Sequence, residues 1–543
     1  MRLGLGIGLT VSRAPSGLDP DAAAYIAAVE TAGASVTADQ KNAINTFFKT
    51  GKSDGWYSSI KRLYLPIWAQ AAPNAVDMIT RTSGTFDGTV THSAGYVQGN
   101  GSTGYFDFGV SPTTLGLTNS SGCTGSLIKT ADTTTGFAFP IGARSASNAG
   151  QISSHQNNSA TSATGWIGRT STAGTTESSV LAVSAVNAIL LSNRNASGLK
   201  TIQRSSTGLI ESSVNALEAT DPITTQNIYG LAINSSGSPS GYTDAEIGAL
   251  FVGLGLSNSN VSPFTLALKN LWETASGLTL EGAEYISAIT AAGATVTSTQ
   301  ESAIHEFVRT GKSEGWWSSL KRLYLPIWAS AAPNAVDMIS LTSGSFVPTV
   351  THAAGYVQGD GTSGYFDFGV TPAALGASLS SATIAVLIKT AGSLSGSRTH
   401  IATSDIATNS AYLGIANPGG GSIRSAIASY IDSNGYIEYN AGGYTSTNGI
   451  VLGGRSSGDR YIRLRKSSGV IDGGTETEPD TGTIPSVRNI YAMAFNYNGT
   501  ALTFSDAEYG AFVVGTGMSP SVSDQFTLAL KDLWETSTGL TLP

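Results

Sequence analysis

The hydrophobic positions change period along the chain. Ala22, Ala23, Tyr25, Ile26 and Val29 recur at helical spacing behind Asp19-Pro20, an N-cap followed by proline in the first turn. Thr37-Ala-Asp-Gln40 reads as a capping box, and Ile44, Phe47 and Phe48 line one face of the helix it opens. Gly51 is expected to stop that helix, and Ser53 to cap a short third helix bearing Trp56 and Ile60. The texture then becomes that of an all-β protein: short runs alternate with period two and are broken every 8–12 residues or so by Gly, Ser and Asn. Residues 95–108 read as strand, Gly-rich turn, strand. Residues 188–194 and 199–204 read as a hairpin, as do 450–455 and 461–465, and residues 227–233 as a late core strand. Thr243-Asp-Ala-Glu246 and Ser505-Asp-Ala-Glu508 resemble capping boxes, each expected to open a helix ahead of a final one.

The chain repeats itself. Residues 16–131 align without a gap onto 276–391, and between 51–110 and 311–370 there are 47 identities in 60 positions. The ends match again as Phe264-Thr-Leu-Ala-Leu-Lys and Phe526-Thr-Leu-Ala-Leu-Lys, whereas 132–225 and 392–487 match poorly at nearly equal length. A period this long means two whole domains rather than a solenoid. The expected organisation is an N-terminal segment over 1–15, a first unit over 16–275 and a second over 276–543. Each unit would be a helical cluster, an antiparallel β-sandwich and short closing helices, giving a mainly β fold.

Composition narrows the function. Only 12% of the 543 residues are charged and the net charge is −8, which gives no general attraction to nucleic acid or an anionic membrane. A single cysteine, Cys123, rules out an intramolecular disulfide. No apolar run is long enough for a membrane-spanning helix. No catalytic, cofactor-binding or metal residues are assigned. Asp107 and Asp367 recur beside an aromatic strand and Asp244 and Asp506 in the capping-box text, and a structural role is expected for all four. His92 and His352 recur in Val-Thr-His-(Ser/Ala)-Ala-Gly-Tyr without a second ligand at metal spacing, and read as satisfied strand histidines. Trp56, Trp68, Trp272, Trp316, Trp317, Trp328 and Trp534 are expected to pack the helices onto the sandwich.

The order Leu18-Asp-Pro-Asp-Ala-Ala-Ala-Tyr-Ile, Gly99-Asn-Gly-Ser-Thr-Gly-Tyr-Phe-Asp107 (with Gly359-Asp-Gly-Thr-Ser-Gly-Tyr-Phe-Asp367), an Ile-Tyr-x-x-Ala strand and Ser/Thr-Asp-Ala-Glu resembles phage virion proteins with concanavalin A-like (laminin-G-like) jelly rolls. The resemblance implies a tandem pair of such jelly rolls in a non-enzymatic virion structural protein of tail, fibre or head decoration, present in multiple copies among other virion proteins. The alternatives are a glycan-binding adsorption protein that reads host surface sugar with its jelly-roll loops and, more remotely, a glycan-cleaving enzyme. Outside the duplicated text, Leu3, Leu5, Ile7, Leu9 and Val11 alternate with Gly4, Gly6 and Gly8. These apolar residues would face one side of a strand and are the expected attachment to the particle.

Overall fold

The computed structural model describes residues 17–133, 137–145, 150–156, 162–168, 179–182, 187–195, 198–214, 223–347, 349–378, 380–392, 397–405, 412–417, 423–427, 437–439, 448–456, 459–477 and 484–543. Leu3, Leu5, Ile7, Leu9 and Val11 lie outside them, as do many turns of the two divergent middles. The chain divides into two compact units, Met1–Gly277 and Leu278–Pro543.

Each unit opens with two helices, Pro20–Thr31 and Ala38–Asp54 in the first, Leu280–Ala291 and Ser298–Glu314 in the second. The expected caps form: the Asp19 carboxylate accepts the Asp21 N–H, and Thr37 and Gln40 exchange both bonds of a capping box, as do Thr297 and Gln300. The box glutamine has a second task. Gln40 Nε2 donates to the Ala275 carbonyl at 2.9 Å and Gln300 Nε2 to that of Ser537 at 3.1 Å, tying the opening helices to the closing one.

Gly51 does not stop its helix, and there is no third α-helix at Ser53. The helix runs to Asp54 and ends at Gly55, whose φ of 81° is left-handed. Gly51 is needed for space, since a Cβ there would lie 2.6 Å from the Trp56 ring. Trp56 leads into a single 3-10 turn, Tyr57–Ser59, and Ile60 begins a strand.

Two sheets follow in each unit, antiparallel except for one parallel pair in the larger of them. Among the described residues of the first, an eight-stranded sheet runs in the order 208–214, 198–205, 188–195, 122–130, 246–253, 96–99, 90–93, with 60–64 pairing 246–253. A nine-stranded sheet runs 179–182, 162–167, 152–156, 138–144, 229–230, 105–107, 85–87, with 233–235 and 238–240 attached. The second unit repeats both orders. The predicted hairpin of Ala188–Asn195 and Gly198–Ser205 forms, as does its counterpart of Gly449–Ser456 and Asp459–Lys466.

The largest departure from expectation concerns Glu246–Gly253 and Glu508–Gly515. They are not helices but central strands of the eight-stranded sheets, and one helix, not several, closes each unit: Asn258–Ser276 and Pro520–Thr538. The reason lies in the layering. On Glu508–Gly515, Phe512 and Val514 enter the core between the sheets, while Ala511 and Val513 enter a second core with Phe307, Trp316, Phe526, Leu530 and Trp534 of the helical layer. A strand covered on both faces shows no alternation, so its apolar run resembles a buried helix.

Candidate functional site

The helices cover one face of the eight-stranded sheet. The outward face of the nine-stranded sheet carries the chemistry. The Gly99–Gly104 turn moves the chain between sheets, from Tyr96–Gly99 to Tyr105–Asp107. Asn100 Oδ1 fixes it by accepting the N–H groups of Ser102, Thr103 and Gly104 at 3.1, 2.8 and 3.0 Å. Strand alternation then sends Phe106 into the core, fully buried, and turns Tyr105 and Asp107 outward. Register places Asp107 opposite Tyr229 and Tyr105 opposite Asp87, so all four share one face.

On that face the rings of Tyr105 and Tyr229 lie 4.7 Å apart at 34°. Tyr229 is 7% exposed and backs the half-buried Tyr105. Tyr105 Oη donates to Asp87 Oδ2 at 2.9 Å. Asn227 Nδ2 donates to the Asp107 carboxylate at 3.2 and 3.3 Å, and the Gly109 N–H donates to its Oδ1 at 2.7 Å. Two residues past Tyr229 the chain bends through Leu231 at φ 62°, a left-handed conformation that costs a non-glycine residue about 1–3 kcal/mol. The bend buries Leu231 completely.

The second unit rebuilds the arrangement. Tyr365 and Tyr491 lie 4.5 Å apart at 31°, Phe504 joins at 6.3 Å from Tyr365, and Asn489 Nδ2 donates to Asp367 Oδ2 at 3.3 Å. Met493 repeats the bend at φ 64°. Three positions differ: Val347 stands where the first unit has Asp87, Arg488 where it has Gln226, and Phe504 where it has Tyr242.

Burial and neighbouring groups raise the pKa of Tyr105 and of Tyr491. Burial, then the Asp87 and Asp107 carboxylates, push Tyr105 well above the usual range. Burial, then Tyr365 and Asp367, push Tyr491 up to about 12. Both are hydrogen-bond donors at neutral pH, and the shift runs opposite to that of a phenolate nucleophile.

The other recurring residues sit in local hydrogen bonds and packing contacts. His92 and His352 meet Asn74 Nδ2 and Asn334 Nδ2 at 3.1 and 3.0 Å and pack edge-on to Phe86 and Phe346. Asp244 Oδ1 accepts the Thr133 N–H at 2.8 Å, and Asp506 faces Arg398 Nε at 3.7 Å. Trp56, Trp272, Trp316 and Trp534 are fully buried under the helices. Among the described residues no group of three or more His, Cys, Asp or Glu could hold a metal ion. Asp107 and Asp367 do tie the chain through Gly109 and Gly369, yet they also belong to the aromatic face. What sequence reasoning missed was their partners Asn227, Tyr229, Asn489 and Tyr491. The signal was there in the recurring text Asn227-Ile-Tyr229 and Asn489-Ile-Tyr491.

No family model matches the chain, and no curated protein matches it. Solved structures match parts of it at low similarity. The CBM40 module of Ruminococcus gnavus IT-sialidase is 12% identical, with 35% of this chain and 97% of the module covered at a TM-score of 0.25. A Trypanosoma rangeli sialidase is 10% identical over 70% of this chain and 61% of its own, TM-score 0.32. A leech intramolecular trans-sialidase is 13% identical over 30% of this chain at TM-score 0.22, and this chain spans 24% of that enzyme. These neighbours are sialidases and a carbohydrate-binding module, not virion components. The expectation of a virion structural role is corrected by these findings.

Proposed function

We propose that the protein binds glycans without cleaving them, and that the outward aromatic face of each nine-stranded sheet is the binding surface. The observation that carries this reading is one constellation built twice: Tyr105 and Tyr229 with Asp107 and Asn227, and Tyr365 and Tyr491 with Asp367 and Asn489. A sugar ring has an apolar C–H face that packs on an aromatic ring and hydroxyls that need donors and acceptors in fixed places. Asp107 keeps acceptor capacity after receiving Asn227 and Gly109, and the Asn227 amide has a second N–H beyond the one given to Asp107.

Glycan-array screening of the intact protein, followed by calorimetric titration with the retained sugar, tests the proposal. The double variant Tyr105→Ala/Tyr365→Ala should bind at least about tenfold more weakly, equivalent to some 1.4 kcal/mol, and no reducing sugar should be released on prolonged incubation. Retention of no glycan, or unchanged affinity in the folded double variant, overturns the reading. Release of reducing sugar replaces it with the glycan-cleaving one.

A further inference from the structure

The two aromatic faces do not carry the same charge. In the first unit the outward face pairs two carboxylates, Asp87 and Asp107, with its tyrosines. In the second unit Val347 removes one carboxylate, and Arg488 adds a cation three residues before Tyr491.

Arg488 is held but not neutralised. Its Nη2 donates to Asn498 Oδ1 at 3.0 Å, while its Nε is buried with no hydrogen-bond partner. No carboxylate among the described residues lies within ion-pair distance of its guanidinium. Asp405 is close by but is occupied with the backbone. It accepts the N–H groups of Ser486, Val487 and Arg488, the last two at 3.1 and 2.9 Å, and so fixes the loop that carries the arginine. The first unit has Ser145 in place of Asp405. Val487, 68% exposed, stands at the crest of the loop beside Arg488. The loop reaches the aromatic pair: the next residue, Asn489, donates to Asp367 Oδ2 at 3.3 Å, and Asp367 pairs with Tyr491 across the strands. A half-buried guanidinium on a clamped loop beside a ring platform can offer its outer N–H groups to an anion.

We infer that the second unit selects a carboxylate-bearing sugar, with Arg488 pairing the carboxylate and Tyr365 and Tyr491 holding the ring, while the first unit takes a neutral one. This rests on the glycan-binding reading above and names its specificity. The carboxylate could belong to a uronate or to a sialate, so the test carries both. The intact protein is titrated with tri-galacturonate against galactotriose, and with 3′-sialyllactose against lactose.

One acidic probe should bind about ten- to hundredfold more tightly than its neutral partner, the range expected for a charge-assisted hydrogen bond. The acidic probe that shows the preference identifies the source. Arg488→Gln, which installs the first unit's residue, should bring that ratio close to one, and Arg488→Lys should restore only part of it, because an ammonium lacks the planar fork. Thermal unfolding of each variant confirms that the second unit remains folded. Neutral and acidic probes binding alike, or a preference that survives Arg488→Gln, overturns the inference while leaving the glycan-binding reading intact. Binding of no probe, neutral or acidic, overturns both.

Discussion

The two units hold the same fold around different buried chemistry. In the first, Pro140, Ile247 and Thr243 occupy the positions taken in the second by His400, Tyr509 and Ser505. His400 is 2% exposed; its Nδ1 lies 2.7 Å from Tyr509 Oη, which donates to Ser505 Oγ at 2.6 Å, and its Nε2 has no partner. Pro140 and His400 both fall where strand register slips, between Ala138 and Ile141 and between Thr399 and Ile401. A bulge residue contributes little to the ladder, so a proline is tolerated there and a histidine is equally free to enter. The comparison teaches that the fold keeps its strand register while the polarity and size of buried side chains change.

The strongest way to break this equivalence is through the shared core. Trp272→Ala and Trp534→Ala each remove a fully buried indole whose Nε1 donates to a carbonyl, that of Gly95 at 2.8 Å or Gly355 at 2.9 Å. Each should cost about 3–5 kcal/mol, read by calorimetry as a loss confined to its own unit. Clearly unequal losses would show that the two helical layers are not the same structure.

Acid should separate the units next. Burial lowers the His400 pKa from 6.5 to about 4. The unfolded chain therefore takes up the proton first, and the stabilisation is complete above pH 6.5 and lost as pH falls towards 4. The loss reaches about 3 kcal/mol, and it falls on the second unit, since the first has Pro140. Chemical denaturation at pH 7 and pH 4 should show it, and His400→Gln should flatten the difference.

Smaller effects sharpen the match. Gly510→Ala and Gly248→Ala each place a Cβ 2.3 Å from a tryptophan Nε1. Overpacking of this kind costs about 1–3 kcal/mol, and both transitions should move alike. Thr37→Ala and Thr297→Ala remove one bond of each capping box and should cost about 1 kcal/mol, lowering each unit's midpoint by a similar few degrees.

Much of the fold was legible because local rules and packing agreed. Asp19-Pro20, Thr37 to Gln40 and the two hairpins carry their own turn and cap chemistry, and they formed as read. Glu246–Gly253 failed because its layers are contributed by residues far away in sequence: helix on one side, sheet on the other. Gly51 failed because a helix terminator and a space-maker are the same residue type, and only the Trp56 ring distinguishes them. The site was half legible. Tyr105 and Asp107 stood out in a recurring motif, but Asn227 and Tyr229 join them through strand pairing across more than a hundred residues, and no spacing rule reports that.

The tryptophan–glycine contacts also constrain how such a chain can change over time. Replacing Gly248 first drives a methyl group into the indole, and replacing Trp272 first leaves a void and an orphaned carbonyl. Every single-step route away from the pair passes through a less stable intermediate, so the two positions are epistatically locked. Gly510 and Trp534 carry the same lock in the second copy, whereas Pro140 and His400 have parted since the duplication. A pair that neither lineage could leave one step at a time marks the ancestral architecture more durably than any residue chosen for binding.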